Sequence, residues 1–328
     1  MRRVRVLATG GTIAGEGEDA TAAGYRAGEV RVQQLIAAVP GLSALGIVDG
    51  EQFSQTGSQD INDELRCKLA ARINTLFDTA DADGIVVTHG TDTAEETGYF
   101  LHLCVRSHRP VVLTGAMRPA SALSADGPLN LYNAVAVAAD RAAQGRGVIL
   151  VINDDLHSAR DVTKANTTDV QAFVSPGPGL LGKASFGKIR YFRNPSRLHT
   201  MDSEFSVDRG KQLPRVEILY AYAGMTSDLV NHCRASGARG IVVAGVGNGN
   251  VPTEVAKSLA EAAANGVVIV RSTRVVSGEV ARGIELDDDA LGLIAADQLN
   301  PQKSRVLLQL CLAQGMDRGE VQEAFYRY

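Results

Sequence analysis

Two threonines stand directly behind glycine at the ends of short apolar runs, Thr12 in ATGGTIAG (Ala8 to Gly15) and Thr91 in THGTDTAEET (Thr88 to Thr97). A hydroxyl exposed there could attack a carbonyl, provided a neighbouring group takes its proton. A third run ends in TGAMRPASALSADGPLN (Thr114 to Asn130). Each segment joins Gly to small hydroxyl residues, which lets a ligand approach the backbone and meet N–H donors at a following helix. The base is less evident. There is no GxSxG elbow, and His89, His102, His108, His157, His199 and His232 are scattered, so spacing assembles no histidine triad. Lys164 lies among short polar residues in ARDVTKANTTDV (Ala159 to Val170). A lysine desolvated beside a carboxylate can share and surrender a proton, and the same residue also reads as a solvated loop lysine. A phosphate cradle finds no support, because neither GxGxxG nor GxxxxGK[ST] occurs in the first turn. GVGNGN at 245–250 is GxGxG with no suitably placed acid after the next strand.

These residues need a scaffold, and the apolar runs describe it. VRVLA (4–8), GIVVT (84–88), PVVLT (110–114), GVILVI (147–152), VEILYAY (216–222), GIVVAG (240–245) and VVIVRS (267–272) are continuous rather than alternating. Such runs predict strands covered on both faces, as in a parallel sheet. Ala- and Leu-rich stretches between them predict helices over Asp63 to Leu76, Ala94 to Val105, Leu129 to Ala143, Ser227 to Ser236 and Pro252 to Asn265. The alternation gives an α/β class. From Gly187 to Pro214 the pattern lapses into charged and Pro-containing sequence. Residues 1–190 are therefore expected to form a first doubly wound domain, 191–214 a linker and 215–328 a smaller second one. SRVLLQLCLAQ and EVQEAFYRY close the chain as helices packed on the second domain.

Composition removes several classes of function. The formal net charge is −4, from 33 Lys plus Arg against 37 Asp plus Glu. No basic stripe is present to neutralise a row of phosphates, which argues against nucleic acid. No apolar stretch approaches the roughly 18 residues of a membrane span. Cys67, Cys104, Cys233 and Cys311 are isolated, with neither CxxC pairing nor His at ligand spacing. They read as buried free thiols rather than metal ligands. Met1 to Val6 is basic, but the apolar run after it breaks at Gly10-Gly11, so it does not read as a signal peptide.

Taken together, TGGTIAG (9–15), GSQDIND (57–63), THGTDTAEETGYFL (88–101), GAMRP and SADGPLNLYNAV (115–135), RDVTKANTTDV (160–170), GVGNGN (245–250) and LNPQKSRVLLQL (299–310) resemble the bacterial-type L-asparaginase family. The likeness is to its type II-like members, including the glutaminase-asparaginases. It spans almost the whole chain in family order. The resemblance implies two α/β domains, a homotetramer built as a dimer of dimers, and no cofactor or metal. It implies an active site at a subunit boundary. Thr12 would be the primary nucleophile, with Tyr25 of AGYRAG beside it on a mobile lid. Thr91, Asp92 and Lys164 would form a second polar triad, and Ser58 and Gln59 would hold substrate. Asn250 and Glu285 would reach in from the adjacent subunit.

The reaction so implied is hydrolysis of L-asparagine to L-aspartate and ammonia through a threonine acyl-enzyme, with L-glutamine as a secondary substrate; the alternative is a glutaminase-asparaginase of broad specificity. Lys164 would move protons with Thr91, Asp92 would receive the substrate's α-ammonium, and backbone N–H groups around Gly11 and Thr91 would be oxyanion donors. Spacing alone leaves open which threonine attacks. It also leaves plainer roles open: Tyr25 as a loop residue, Ser58 as a turn or cap residue, Asp92 as a helix cap ahead of Ala94. Arg118 and Asp126 read as a structural ion pair. Some periplasmic relatives carry a disulfide at positions that align with Phe77 and Ser107, so the resemblance points to the cytoplasm, with a periplasmic protein freed of its leader as the alternative.

Overall fold

All seven continuous apolar runs form strands, as β-branched side chains favour where sheet faces are covered. The run at 216–222 departs from the expected coverage of both faces, leaving Ile218, Tyr220 and Tyr222 exposed. The structure is a computed structural model that describes residues 1–17, 24, 26, 28–207 and 212–328. The chain divides into two units, Met1–Gly210 and Lys211–Tyr328.

In the first unit the strands are β1 (Arg3–Gly10), β2 (Ile47–Thr56), β3 (Gly84–Thr88), β4 (Val111–Thr114), β5 (Val148–Ile152), β6 (Asp155–Ser158), β9 (Gly182–Ser185) and β10 (Lys188–Tyr191), with the small pair β7 (Thr163–Lys164) and β8 (Phe173–Val174) apart. One eight-stranded sheet runs β10-β9-β6-β5-β4-β3-β1-β2. Strands β2, β1, β3, β4 and β5 are mutually parallel, while β6, β9 and β10 are antiparallel. The helices are α1 (Val32–Ala37), α2 (Leu42–Leu45), α3 (Asp63–Asp78), α4 (Ala94–Cys104) and α5 (Gly127–Ala139). Val4, Val6, Val86, Val112 and Ile149 point to one face and pack with Leu131, Ala134 and Val135 of α5 and Val32 and Leu35 of α1. The alternate residues Leu7, Ile85, Val87 and Leu113 are buried as well, as are Leu69 and Ile73 of α3 and Phe100 and Leu101 of α4.

The order 2-1-3-4-5 has one consequence for function. The chain leaves β1 toward β2 on one side and later returns to lay β3 on the other side of β1. Loops leaving the carboxyl ends of β1 and β3 therefore part in opposite directions and open a crevice between them.

Strand β2 is absent from the sequence reading because IVDGEQFSQT has no apolar run. It is a half-exposed edge strand held by its ladder to β1. Strand β10 lies where the pattern lapses, again at a sheet edge, with KIRY alternating exposed and half-buried. Beyond it, Thr200, Ser203 and Phe205 are buried, and the Arg106 guanidinium donates to the Ser203 carbonyl. Helix α5 begins at Gly127, two residues before the expected start, with Pro128 in its first turn. It ends at Ala139, and the expected residues to Ala143 form a separate 3-10 turn capped by Asp140.

In the second unit β11 (Val216–Tyr220), β12 (Gly240–Gly245), β13 (Val268–Thr273) and β14 (Leu293–Ala295) form a parallel sheet in sequential order. Ile241, Val243 and Ile269 pack with Val230 and Cys233 of α6 (Asp228–Ala235) and Val255 and Leu259 of α7 (Thr253–Ala264). After β14, preceded by α8 (Asp288–Leu291), come α9 (Pro301–Gln314) and α10 (Arg318–Arg327), both helices where the closing segment predicts them.

Candidate active site

Thr12 and Thr91 open short 3-10 turns, Thr12–Ala14 and Thr91–Thr93, at the ends of β1 and β3, on the two sides of the crevice. Both are buried. What lets the two turns come together is glycine. Gly11 holds φ 80° and ψ −175°, a conformation essentially restricted to Gly. A Cβ built on it would lie 2.3 Å from the Gly90 nitrogen. A Cβ on Gly90 would lie 2.7 Å from the Ser58 hydroxyl. The β4 turn joins the same contact, since a Cβ on Gly115 would meet the His89 carbonyl at 2.6 Å. Backbones of three turns thus touch where side chains would have kept them apart.

Lys164 arrives from the β7–β8 hairpin. Its Nζ donates to Thr91 Oγ1 at 2.9 Å and to Asp92 Oδ1 at 2.6 Å. The lysine side chain is 16% exposed and that of Asp92 64%, so one partner of the ion pair is in water. Such pairs contribute about 0.2–1 kcal/mol, a small amount beside the placement of an amine on a buried threonine hydroxyl. Asp92 is not the helix cap: Thr93 holds that position for α4, without a side-chain cap bond. Behind Lys164, the Thr163 hydroxyl donates to the buried Glu95 carboxylate at 3.3 Å.

Ser58 starts the 3-10 turn after β2 and is buried against Gly90. Its carbonyl accepts from Thr93 Oγ1 at 2.7 Å, which ties that turn to the β3 turn. Gln59, next along, is exposed and donates to Asp60 at 3.2 Å. Tyr25 lies outside the described residues.

Arg118 and Asp126 do not form the expected ion pair. Asp126 accepts from the backbone N–H of Met117 at 3.0 Å and of Arg118 at 2.9 Å, while the Arg118 guanidinium donates to Ser124 at 2.9 and 3.1 Å. A carboxylate that can take two adjacent amides satisfies donors that would otherwise lack partners. One of the expected oxyanion donors is also engaged, the Gly11 N–H donating to the Thr56 carbonyl at 3.2 Å.

Sequence assigns no role to His89, and its place is now clear. It is buried, and its Nδ1 lies 2.7 Å from the Gly90 carbonyl. A carbonyl only accepts, so Nδ1 carries the proton. Burial pushes its pKa down to about 4, partly offset by that hydrogen bond and helped by the Arg66 guanidinium. The neutral ring fixes the Gly90 peptide that leads into Thr91 and does not serve as the base. Asn130 is the other addition: its amide donates to the Gly115 carbonyl at 3.0 Å and its oxygen accepts from Asn153 N–H at 2.9 Å, which holds the β4 turn. Neither role leaves a mark in sequence, because both consist of bonds to backbone, which no residue pattern records.

Asn250 and Glu285 are neighbours in the second unit, where the Asn250 amide donates to the Glu285 carboxylate. Asn250 closes the GVGNGN loop by a paired bridge to Val246.

Residues 3–197 match the family model "Asparaginase, N-terminal" and residues 215–325 the model "Glutaminase/Asparaginase C-terminal domain". The chain is 50% identical to L-asparaginase 2 of Escherichia coli strain K12, over 100% of this chain and 94% of that protein. It is 46% identical to the glutaminase-asparaginase of Pseudomonas fluorescens biotype A, over 100% of this chain and 91% of that one. A crystal structure of a probable cytoplasmic L-asparaginase from Campylobacter jejuni superposes with a TM-score of 0.96 at 44% identity, covering both chains entirely.

Proposed function

The chain belongs to the asparaginase family, and from that premise we propose that Thr12 is the nucleophile of an amide hydrolysis whose protons move through Thr91, Lys164 and Asp92. The protein is an amidohydrolase, an asparaginase that converts L-asparagine to L-aspartate and ammonia. One observation carries the assignment of residues: Lys164 Nζ bridges Thr91 Oγ1 at 2.9 Å and Asp92 Oδ1 at 2.6 Å, on a turn whose backbone touches the turn bearing Thr12.

In the first step Thr12 Oγ bonds to the side-chain amide carbon, and its proton passes by way of the Thr91–Lys164 pair to the departing nitrogen, which leaves as ammonia. Water then attacks the ester so formed. The acyl–oxygen bond breaks, Thr12 regains its proton, and aspartate is released. The negative charge on the carbonyl oxygen in each step is met by backbone N–H; with Gly11 bonded to Thr56, the Thr91 amide at the head of its turn fills that role. In this reading Asp92 receives the α-ammonium while it holds Lys164, and its exposure supports that role. Ser58 and Gln59 bind substrate from the β2 turn, Tyr25 acts with Thr12, and Asn250 and Glu285 complete the site from an adjacent subunit of a homotetramer, a dimer of dimers.

Glutamine is one methylene longer than asparagine, and such a difference supplies about 1–3 kcal/mol of discrimination. Weaker glutaminase activity accompanies the main one in this reading, in keeping with a relative named glutaminase-asparaginase. A cytoplasmic setting suits the free thiols of Cys67, Cys104 and Cys233. No described helix is long and apolar enough to cross a membrane.

Ammonia release from L-asparagine and L-glutamine, measured in parallel over a concentration range, tests the substrate. Thr12→Ala should cut turnover by roughly 10³-fold or more while leaving the fold intact, and retained turnover in a folded variant would remove Thr12 from attack. For the shared site, inactive Thr12→Ala and Glu285→Ala chains, mixed and reassembled, should recover partial activity. No recovery, with mixing shown by native mass spectrometry, overturns it.

A further inference from the structure

We propose that Arg271 and Asp288 are positioning residues for substrate binding, a buried strut that sets the spacing of Asn250 and Glu285. This rests on the reading of those two as substrate-binding groups. Arg271 lies on β13 and Asp288 opens α8; their side chains are 2% and 0% exposed. The guanidinium meets the carboxylate as a fork, Nε to Oδ1 at 2.8 Å and Nη2 to Oδ2 at 2.7 Å. Two charges withdrawn from water need such geometry, and apolar residues of similar volume would often serve stability equally well. Stability alone therefore gives little reason for the pair. Its other bonds supply one.

Arg271 Nη1 donates to the carbonyl of Asn248, inside the loop that Asn250 closes. Nη2 donates to the carbonyl of Ala281 at 3.0 Å. Asp288 Oδ2 accepts from the Gly283 N–H at 2.8 Å, two residues before Glu285. The two loops are also joined directly, the Ala281 N–H donating to Asn248 Oδ1 at 3.0 Å. Gly249, at φ 77°, lies flat on the arginine: a Cβ there would sit 2.9 Å from Nη1 and 3.0 Å from Cγ. The Val246–Asn250 bridge makes the first loop a closed unit, with N···O distances of 2.9 and 2.7 Å, so a shift at Asn248 carries to Asn250. One planar fork thus fixes both loops, and a lysine, a point charge, could not replace it.

The test compares kcat and KM for L-asparagine, by ammonia release, in Asn250→Ala, Glu285→Gln, the double variant Arg271→Met/Asp288→Leu, and Asn248→Ala. The first two report the substrate-binding role itself. The double variant removes both charges and the fork and leaves apolar side chains in their place. Asn248→Ala removes only the bond to Ala281 and leaves the buried pair whole. With both loops loosened, a displacement of about 1 Å should raise KM about ten- to hundredfold, with kcat nearly unchanged because ground-state and transition-state binding are lost alike. A folded double variant with wild-type KM, while Asn250→Ala and Glu285→Gln raise it, overturns the strut and leaves the binding role standing. Wild-type KM in Asn250→Ala and Glu285→Gln overturns both. If the double variant does not fold, Arg271→Lys, which keeps the charge and loses the fork, decides: a raised KM supports the strut, and a folded variant with wild-type KM refutes it. Asn248→Ala, with the fork whole, should keep a KM near wild type.

Discussion

Gly11→Ala isolates the contact on which the site is built. The added Cβ would lie 2.3 Å from the Gly90 nitrogen, 2.4 Å from Gly90 Cα and 2.9 Å from the His89 carbonyl carbon. Ordinary contact begins at 3.4 Å, so a Cβ at 2.3 Å forces the two turns about 1.1 Å apart. All three atoms are backbone, and no rotamer relieves the clash. The conformation at φ 80° and ψ −175° adds strain of about 1–3 kcal/mol for any residue with a Cβ. A misplacement near 1 Å between nucleophile and proton relay costs about 10²-fold in rate, equivalent to about 2.7 kcal/mol of barrier. Strain and displacement are separated by Gly145→Ala, at φ 71° with nothing within 4 Å of its added Cβ. That control should lose about 1 kcal/mol of stability and keep its kcat/KM. The assay is ammonia release from L-asparagine together with urea unfolding of both variants. A folded Gly11→Ala enzyme at wild-type kcat/KM would refute the reasoning, because Thr12 and Thr91 would then not need the spacing that the glycines impose.

Lys164→Met should lower kcat by roughly 10³-fold with the thermal midpoint almost unmoved, since its ion pair with exposed Asp92 is worth little; a large fall in the midpoint would make Lys164 structural instead. His89, neutral in the fold with its pKa down at about 4 against 6.5 unfolded, is protonated more readily in the unfolded chain. Its contribution is complete above pH 6.5 and is lost as pH falls toward 4, about 2 kcal/mol by pH 5. His89→Gln should therefore flatten the change in urea midpoint between pH 7 and pH 5, and equal slopes in both proteins would count against a buried neutral ring. Asp126→Ala, which strips the acceptor from the Met117 and Arg118 amides, should cost about 2 kcal/mol. Arg118→Met should cost far less by the same unfolding assay, and similar losses would restore an ion pair between the two.

Apolarity was the strongest signal in the chain, and it identified central strands better than edges. GIVVT and GVILVI could be read as strands because their residues are buried on both faces. IVDGEQFSQT and KIRY could not, because an edge strand is held by backbone bonds to its neighbour and needs no apolar run. Helix α5 shows the same limit at finer scale, since Ala142 and Ala143 continue the helical composition while Asp140 caps a new turn.

The chemistry, too, was partly local. Gly-Thr at two strand ends and a lysine among small polar residues are facts of sequence, and the family motifs bring the same residues forward. Their meeting is not local. Lys164 and Asp92 are 72 residues apart, and Gly11 touches Gly90 only because β3 lies beside β1 in the order 2-1-3-4-5. Asp126 turned from an expected partner of a charge into an acceptor for two amides, and His89 from an unassigned histidine into the brace of the Thr91 turn. Most buried segments, and the side chains able to do chemistry, could be read from the chain alone, because hydrophobicity and functional groups belong to single residues. Strand order, and with it the crevice, the lysine on the threonine and the fork under Asn250 and Glu285, was decided by tertiary structure alone, because burial requires a neighbour without specifying which one.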